Sequence, residues 1–203
     1  MHRIAWLFVA LAFTVNAAFG QETADPRRVV TGHSPDGRSI FVDDAAPARV
    51  IRFDSAPGYE LTQLWATGAG RTADAADEDP ETTEWSVLPG SGETRFLLVR
   101  VPSAAEVNSG EGGFDPAAFL GEFAAKVPDL AASMDDPATG MHVTDTIDYL
   151  VVISGQVVLA LDDGSQVDLN PGDVVIQNGT RHTWINTGDE AALLAAVLVG
   201  NEP

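Results

Sequence analysis

Pro171–Glu190, PGDVVIQNGTRHTWINTGDE, together with Ala191–Val199, AALLAAVLV, decides the fold. Two short runs rich in β-branched residues, Asp173–Gln177 and Arg181–Thr187, flank Asn178-Gly179, a dipeptide favoured in tight turns between strands. Pro171-Gly172 opens the first run, Gly188-Asp189 closes the second, and Ala191–Val199 adds a third, almost wholly apolar one. The same rhythm extends backward through Gln166–Leu169, Gln156–Leu161 and Ile147–Ser154. Asn170-Pro171-Gly172, Asp162-Asp163-Gly164 and Ser154-Gly155 punctuate it. Short β-type runs joined by tight turns at even spacing predict an all-β antiparallel sandwich or barrel.

Toward the N-terminus, Thr94–Val101 reads as a further strand, and so do Arg28–Thr31, Ser39–Val42, Arg49–Phe53 and Tyr59–Ala66. Ser34-Pro35-Asp36-Gly37, Ala45 to Pro47 and Ala56-Pro57-Gly58 separate these four runs. Residues 67–93 lack hydrophobic periodicity and hold the acidic stretch Asp74–Glu84, which reads as a solvated loop. Residues 103–113 are a polar, Gly-rich connection. Asp115-Pro116 then opens the one short helix expected, Asp as a cap for free N–H groups and Pro at the first helical position. Phe119, Leu120 and Phe123 form its apolar face, Pro128 ends it, and it is expected to pack across the barrel wall.

The first 20 residues carry Arg3, an apolar run from Ile4 to Phe13, and the small residues Ala18 and Gly20. They read as a signal peptide cleaved before Gln21, giving a secreted or periplasmic protein with a single domain over 27–203. The apolar run is too short to span a bilayer, which takes about 20 residues, so no stable membrane insertion is expected after cleavage. The 203-residue chain carries 11 Lys+Arg against 30 Asp+Glu, a formal net charge of −19. Such a surface repels phosphate backbones, which excludes nucleic acid as a partner class. There is no cysteine, so the core must hold without disulfides.

Side chains two residues apart on a strand share a face. His142, Thr144, Thr146 and Asp148 therefore point one way if no bulge intervenes, and so do His182, Trp184 and Asn186. A closed barrel can bring the two sets together with their polar groups inward. Tyr149 has the opposite parity and is expected to face outward. Asp173, just after Pro171-Gly172, is expected to fix a turn through local hydrogen bonds.

These residues resemble the cupin superfamily. Its first motif runs Gly, five residues, His-x-His, three or four residues, Glu, six residues, Gly. His142, Thr144, Asp148 and Gly155 occupy the last four marked positions. The second motif is matched by Pro171-Gly172-Asp173, then His182, three residues, and Asn186. The strings GMHVTDTIDYLVVISGQVVLALDDG and RRVVTGH look like those of single-domain bacterial and fungal cupins of mostly unassigned function. The resemblance is specific over 140–199 and softer over 27–101. It implies a small antiparallel β-barrel of the jelly-roll, double-stranded β-helix kind, in chains that often form homodimers.

Two departures bear on function. Threonine stands at 144 where the family has its second histidine, and aspartate at 148 where it has glutamate. His142, Asp148 and His182 then match in type a two-His-one-carboxylate set, which would take a divalent iron, manganese, nickel or zinc ion. The same residues also suit a metal-free polar pocket, or buried histidines satisfied by Asp148 and Asn186. Two functions follow. One is an enzyme acting on a small organic molecule, with His142, Asp148 and His182 catalytic and Thr144, Trp184 and Asn186 at the substrate. The reaction would be oxygenation, decarboxylation, isomerisation or cyclisation. The other is a non-catalytic module that binds a small-molecule ligand without metal.

Overall fold

A computed structural model of the protein describes residues 26–47, 49–70, 86–110, 112–136 and 139–201. The leader and the acidic stretch Asp74–Glu84 lie outside the described residues.

The strands are β1 (Arg28–His33), β2 (Ser39–Ala45), β3 (Arg49–Arg52), β4 (Glu60–Thr67), β5 (Thr94–Val101), β6 (Met134–Asp136) and β7 (Met141–His142). They continue with β8 (Thr146–Ser154), β9 (Val157–Leu161), β10 (Gln166–Leu169), β11 (Val174–Asn178), β12 (His182–Ile185) and β13 (Ala192–Gly200). Two antiparallel sheets enclose the core. One has the order β11-β8-β13-β5-β4-β3, the other β10-β9-β12-β7-β6, and β1-β2 stands apart as a hairpin. The fold is thus the all-β antiparallel architecture that the turn rhythm predicts.

The central strand β13 shows why these residues form a sheet. Its buried positions alternate strictly, with Ala192, Leu194, Ala196 and Leu198 inward. β8 does the same with Thr146, Asp148, Leu150 and Val152. The two strands pair directly, Leu198 with Asp148 and Ala196 with Leu150, so their inward sets form one surface. Val157 and Leu169 from the second sheet complete the core against it. Gly155 makes the β8–β9 turn at φ +71°. A Cβ there would stand 2.4 Å from the Ala191 carbonyl oxygen, so the position admits only glycine. Asp173 fixes its turn as expected, its carboxylate accepting from the Asn170 N–H at 2.8 Å.

The helix after Asp115 is present as Pro116–Lys126, with the Asp115 carboxylate accepting from the N–H groups of Ala117 and Ala118. Phe123 is buried against Phe53, and Phe119 and Tyr59 close the same aromatic cluster at the end of the core. The expectation of a single helix is corrected by two more short ones. Ala104–Val107 (α1, before the Pro116–Lys126 helix, α2) lies in the stretch read as a connection, capped by the Ser103 side chain. Pro128–Ala132 (α3) begins at the residue expected only to end α2, because proline suits a first helical turn as well as it stops a preceding one. The strands β6 and β7 have no counterpart among the predicted runs.

Candidate active site between the two sheets

In the five-stranded sheet, β12 lies between β9 and β7. His182 stands directly opposite His142 in β7, and Trp184 opposite Leu159 in β9. Directly opposed residues point to one face. Here it is the inner one, since Trp184 and Leu159 pack on the core. The two imidazoles sit with ring centroids 4.3 Å apart, and the Trp184 indole meets His182 edge-on at 5.8 Å. The adjacency expected between the strands of His142 and His182 is therefore realised, with Trp184 beside them.

Each imidazole is held by a backbone carbonyl two residues before it. His182 Nδ1 lies 2.9 Å from the Thr180 oxygen and His142 Nδ1 lies 3.0 Å from the Gly140 oxygen. A carbonyl can only accept, so each Nδ1 carries the proton and each Nε2 is left with a bare lone pair. The rings are also kept neutral. Burial lowers His182 to about 4, with repulsion from His142 adding to it and the Thr180 carbonyl opposing. Burial lowers His142 too, against the Gly140 carbonyl and the charge of Asp135. Because a charge on one ring disfavours charge on the other, the pair takes up at most one added proton readily.

Gln177 did not figure among the expected site residues. It is buried on β11 and its Nε2 donates to the same Thr180 carbonyl, at 3.0 Å. That carbonyl is thus fixed from two sides, and Gln177 positions the acceptor that orients His182. Across the strand pair Gln177 faces Asp148. Its signal was legible: Val175 and Gln177 share a parity, so a polar side chain stands where the strand turns inward.

Asp148 lies on the inner face of the six-stranded sheet, 6% exposed, and its Oδ1 has no hydrogen-bond partner. Burial pushes its carboxyl up to about 6, the nearby Thr146 hydroxyl pulling slightly the other way. Thr144 is buried as well, its hydroxyl sharing a 2.7 Å hydrogen bond with Thr146. Asn186 is committed elsewhere. It lies past the end of β12, donates to the carbonyls of Val101 and Glu190, and accepts from the Gly188 N–H. Every polar group of that amide is used to fasten the loop, which corrects its placement at the substrate.

The shared inward parity expected of His142, Thr144, Thr146 and Asp148 holds, since these four are half-buried or buried while Val143, Asp145 and Tyr149 are exposed. They do not lie on one continuous strand: β7 ends at His142 and β8 begins at Thr146, in different sheets. Among the described residues no group of three or more His, Asp or Glu is arranged to hold a metal ion. In donor type the residues fit a divalent cation in part: two Nε2 lone pairs with their Nδ1 protons tied back, and a carboxylate oxygen without a partner. As placed, the carboxylate is not gathered with the imidazoles.

Residues 135–199 match the family model Cupin_2, described as a cupin domain. The chain is 28% identical over 173 residues to phomopsin biosynthesis cluster protein C' of Diaporthe leptostromiformis, covering 84% of this chain and 75% of that one. It is 26% identical over 171 residues to the cupin-domain-containing oxidoreductase srdB of Neurospora crassa, covering 82% and 68%. Similarity to the cupin-domain-containing oxidoreductase fogC of Aspergillus ruber is 34% over 74 residues, or 36% and 35% of the two chains. Among solved structures, the Schizosaccharomyces pombe Cnp3 cupin domain superposes with a TM-score of 0.41 at 11% identity, covering 86% and 88%.

Proposed function

We propose that the chain, whose residues 135–199 match a cupin-domain family model, is an enzyme acting on a small organic molecule, with His142 and His182 as its proton-transferring pair. One observation carries this reading: both Nδ1 atoms are tied to carbonyls, which leaves two neutral Nε2 bases side by side on an inner wall. A neutral imidazole fixed in one tautomer is ready to take a proton from a bound molecule without first losing one to water. Once one ring is charged, its neighbour disfavours that state, which returns the proton to the reacting molecule. Isomerisation, dehydration and cyclisation all need such a paired removal and return. The names of the relatives, oxidoreductases and biosynthetic cluster proteins, support an enzyme over a passive binding module.

The same observation favours one other reading. The Nε2 atoms are the donor type that iron, manganese, nickel or zinc takes, and a bound divalent ion would polarise a substrate oxygen there. His142 and His182 would supply two ligands and Asp148 a third. Export and pairing with a second copy belong to the proposal too. An exposed cross-strand row of Ile176, Tyr149 and Phe96 on the outer face of the six-stranded sheet supports the pairing.

The test is hydrogen exchange in D2O with a panel of enolisable carbonyl compounds, read by mass spectrometry, alongside metal stoichiometry without chelators. The acid–base reading expects deuterium uptake that His142→Ala and His182→Ala each abolish. It expects background metal in wild type, His182→Ala and Thr144→His alike. Uptake that survives both substitutions defeats the histidine pair. Metal in wild type that falls in His182→Ala and rises in Thr144→His moves the assignment to a metal centre.

A further inference from the structure

The hairpin of β1 and β2 stands outside both sheets, and among the described elements its strands pack on one another and scarcely on the barrel. Its base is tied to β4, where the Arg28 guanidinium donates to the Leu64 carbonyl. The rest is an arm that holds apolar side chains in water. Phe41 is 75% exposed, and Val29, Ile40 and Val42 are exposed with it. A two-stranded hairpin is marginal in water unless a further surface covers it. Charge marks the arm off as well. In a chain of net charge −19, residues 26–47 hold three Arg and three Asp, paired within the arm as Arg27–Asp44, Arg28–Asp43 and Arg38–Asp36. A second apolar surface is the outer face of the six-stranded sheet. Ile176, Tyr149, Val197 and Phe96 make one cross-strand row, the next runs from Val174 to Leu98, and neither contains a charged residue. Val174, Ile176 and Tyr149 are each more than half exposed.

Both surfaces lie open in the same chain, so the arm does not cover its own face. We infer that the arm of each copy lies on the outer face of the partner's six-stranded sheet, and that two copies close into a dimer by exchanging arms. Size supports the match. β2 has seven residues. It is therefore about 23 Å long, and four strands span about 15–20 Å, so the arm is as long as the face is wide. At roughly 150–200 Å² for a fully exposed large apolar side chain, the exposed fractions leave about 400 Å² on the arm and about 450 Å² on the face. Two reciprocal contacts then remove about 1,700 Å² from water, which is the size of a stable specific interface. Charge supports the match too. Two acidic chains repel wherever their carboxylates face one another, and the arm meets the other copy with its charges already paired. Exchange of an identical element between two copies is a closed, twofold arrangement. The inference rests on the pairing proposed above and names the parts that make it.

The chain has no cysteine, so introduced cysteines report contacts without background. Phe41→Cys and Tyr149→Cys are made separately in the full chain, co-expressed and mildly oxidised. A disulfide between the two chains is expected. None is expected between two Phe41→Cys chains, nor when Asp163→Cys, in the turn between β9 and β10, replaces Tyr149→Cys. Light scattering reads the dimer itself. Phe41→Ser removes a covered ring from each of two contacts, at about tenfold apiece, so the dimer should weaken about a hundredfold. The imidazole NMR signals of His142 and His182 should stay in place, since the barrel is untouched. A dimer that Phe41→Ser does not weaken, or one that gives no cross-link, overturns the exchanged arm and leaves the pairing standing. A wild-type monomer removes the pairing and the inference together. A disulfide that closes within one chain carrying both Phe41→Cys and Tyr149→Cys shows the arm on its own face, and overturns the exchange as well.

Discussion

Replacing Asp148 by asparagine should stabilise the protein at neutral pH, against the usual cost of changing a buried polar residue. The carboxyl is buried, its Oδ1 has no partner, and burial raises it from 3.8 to about 6. In the unfolded chain it ionises near its ordinary value, so between those two pH values the folded state holds one more proton than the unfolded state. Stability from this group is full below pH ~4 and is lost as pH rises through the folded value of about 6. At 1.36 kcal/mol per unit, the loss above pH ~7 is about 3 kcal/mol. Asparagine has nearly the same shape, stays neutral and does not incur it. Thermal melts of wild type and Asp148→Asn should coincide near pH 4 and separate by about 6–12 °C at pH 8. The wild-type curve alone hides the effect. His182, lowered to about 4, loses stability as pH falls from 6.5 toward that value, with opposite sign over the same window. The difference between the two proteins isolates Asp148. A variant that melts lower than wild type at pH 8, in metal-free buffer, would show that the carboxylate is paired when ionised, and would refute the reasoning.

Three further outcomes are expected. Gly155→Ala should cost about 3 kcal/mol in urea titrations, since the new methyl meets the Ala191 carbonyl at a residue with φ +71°; a loss below about 1 kcal/mol would contradict that close approach. Intact-mass analysis of protein made with its leader should show a chain that begins at or near Gln21, and a mature chain retaining Met1 would remove export from the proposal. Light scattering should give twice the monomer mass, and Tyr149→Glu, which puts a charge in the exposed apolar row opposite Ile176, should return the monomer; a monomer before any substitution would leave that face without its proposed partner.

What the sequence made legible follows from how local each signal is. A turn is written in two to four adjacent residues, and every predicted run of the C-terminal half is a strand within two or three residues at each end. Asp115-Pro116 marks its helix because cap and first turn are neighbours in the chain. The strand pair β6–β7 was missed because it is three residues long on one side and two on the other, too short for any period to show. Its role is nevertheless decisive, since β7 carries His142. The aromatic residue Phe96 shows the same limit differently. It reads as core from its type, yet it is 38% exposed, because alternation along TRFLLVRV turns Leu97 inward and Phe96 out.

The inward residues of the site were legible in the sequence, and their division between two sheets was not. His142, Thr144, Thr146 and Asp148 keep the alternation expected of them, with Val143, Asp145 and Tyr149 exposed. The sequence between His142 and Asp148 has no glycine or proline to announce that β7 ends and β8 begins there. Thr144 and Thr146 are bonded to one another at that change of sheet. Thr146 also stands beside Asp148, where its hydroxyl pulls down a carboxyl that burial raises to about 6. A Thr144 hydroxyl that donates to Thr146 leaves the Thr146 proton for Asp148, so the two threonines act on the carboxyl in series. Thr146→Val keeps the shape and removes that donor, so the Asp148 carboxyl should titrate higher than in wild type when followed by NMR. An unchanged or lower value would show that the Thr146 hydroxyl does not reach it.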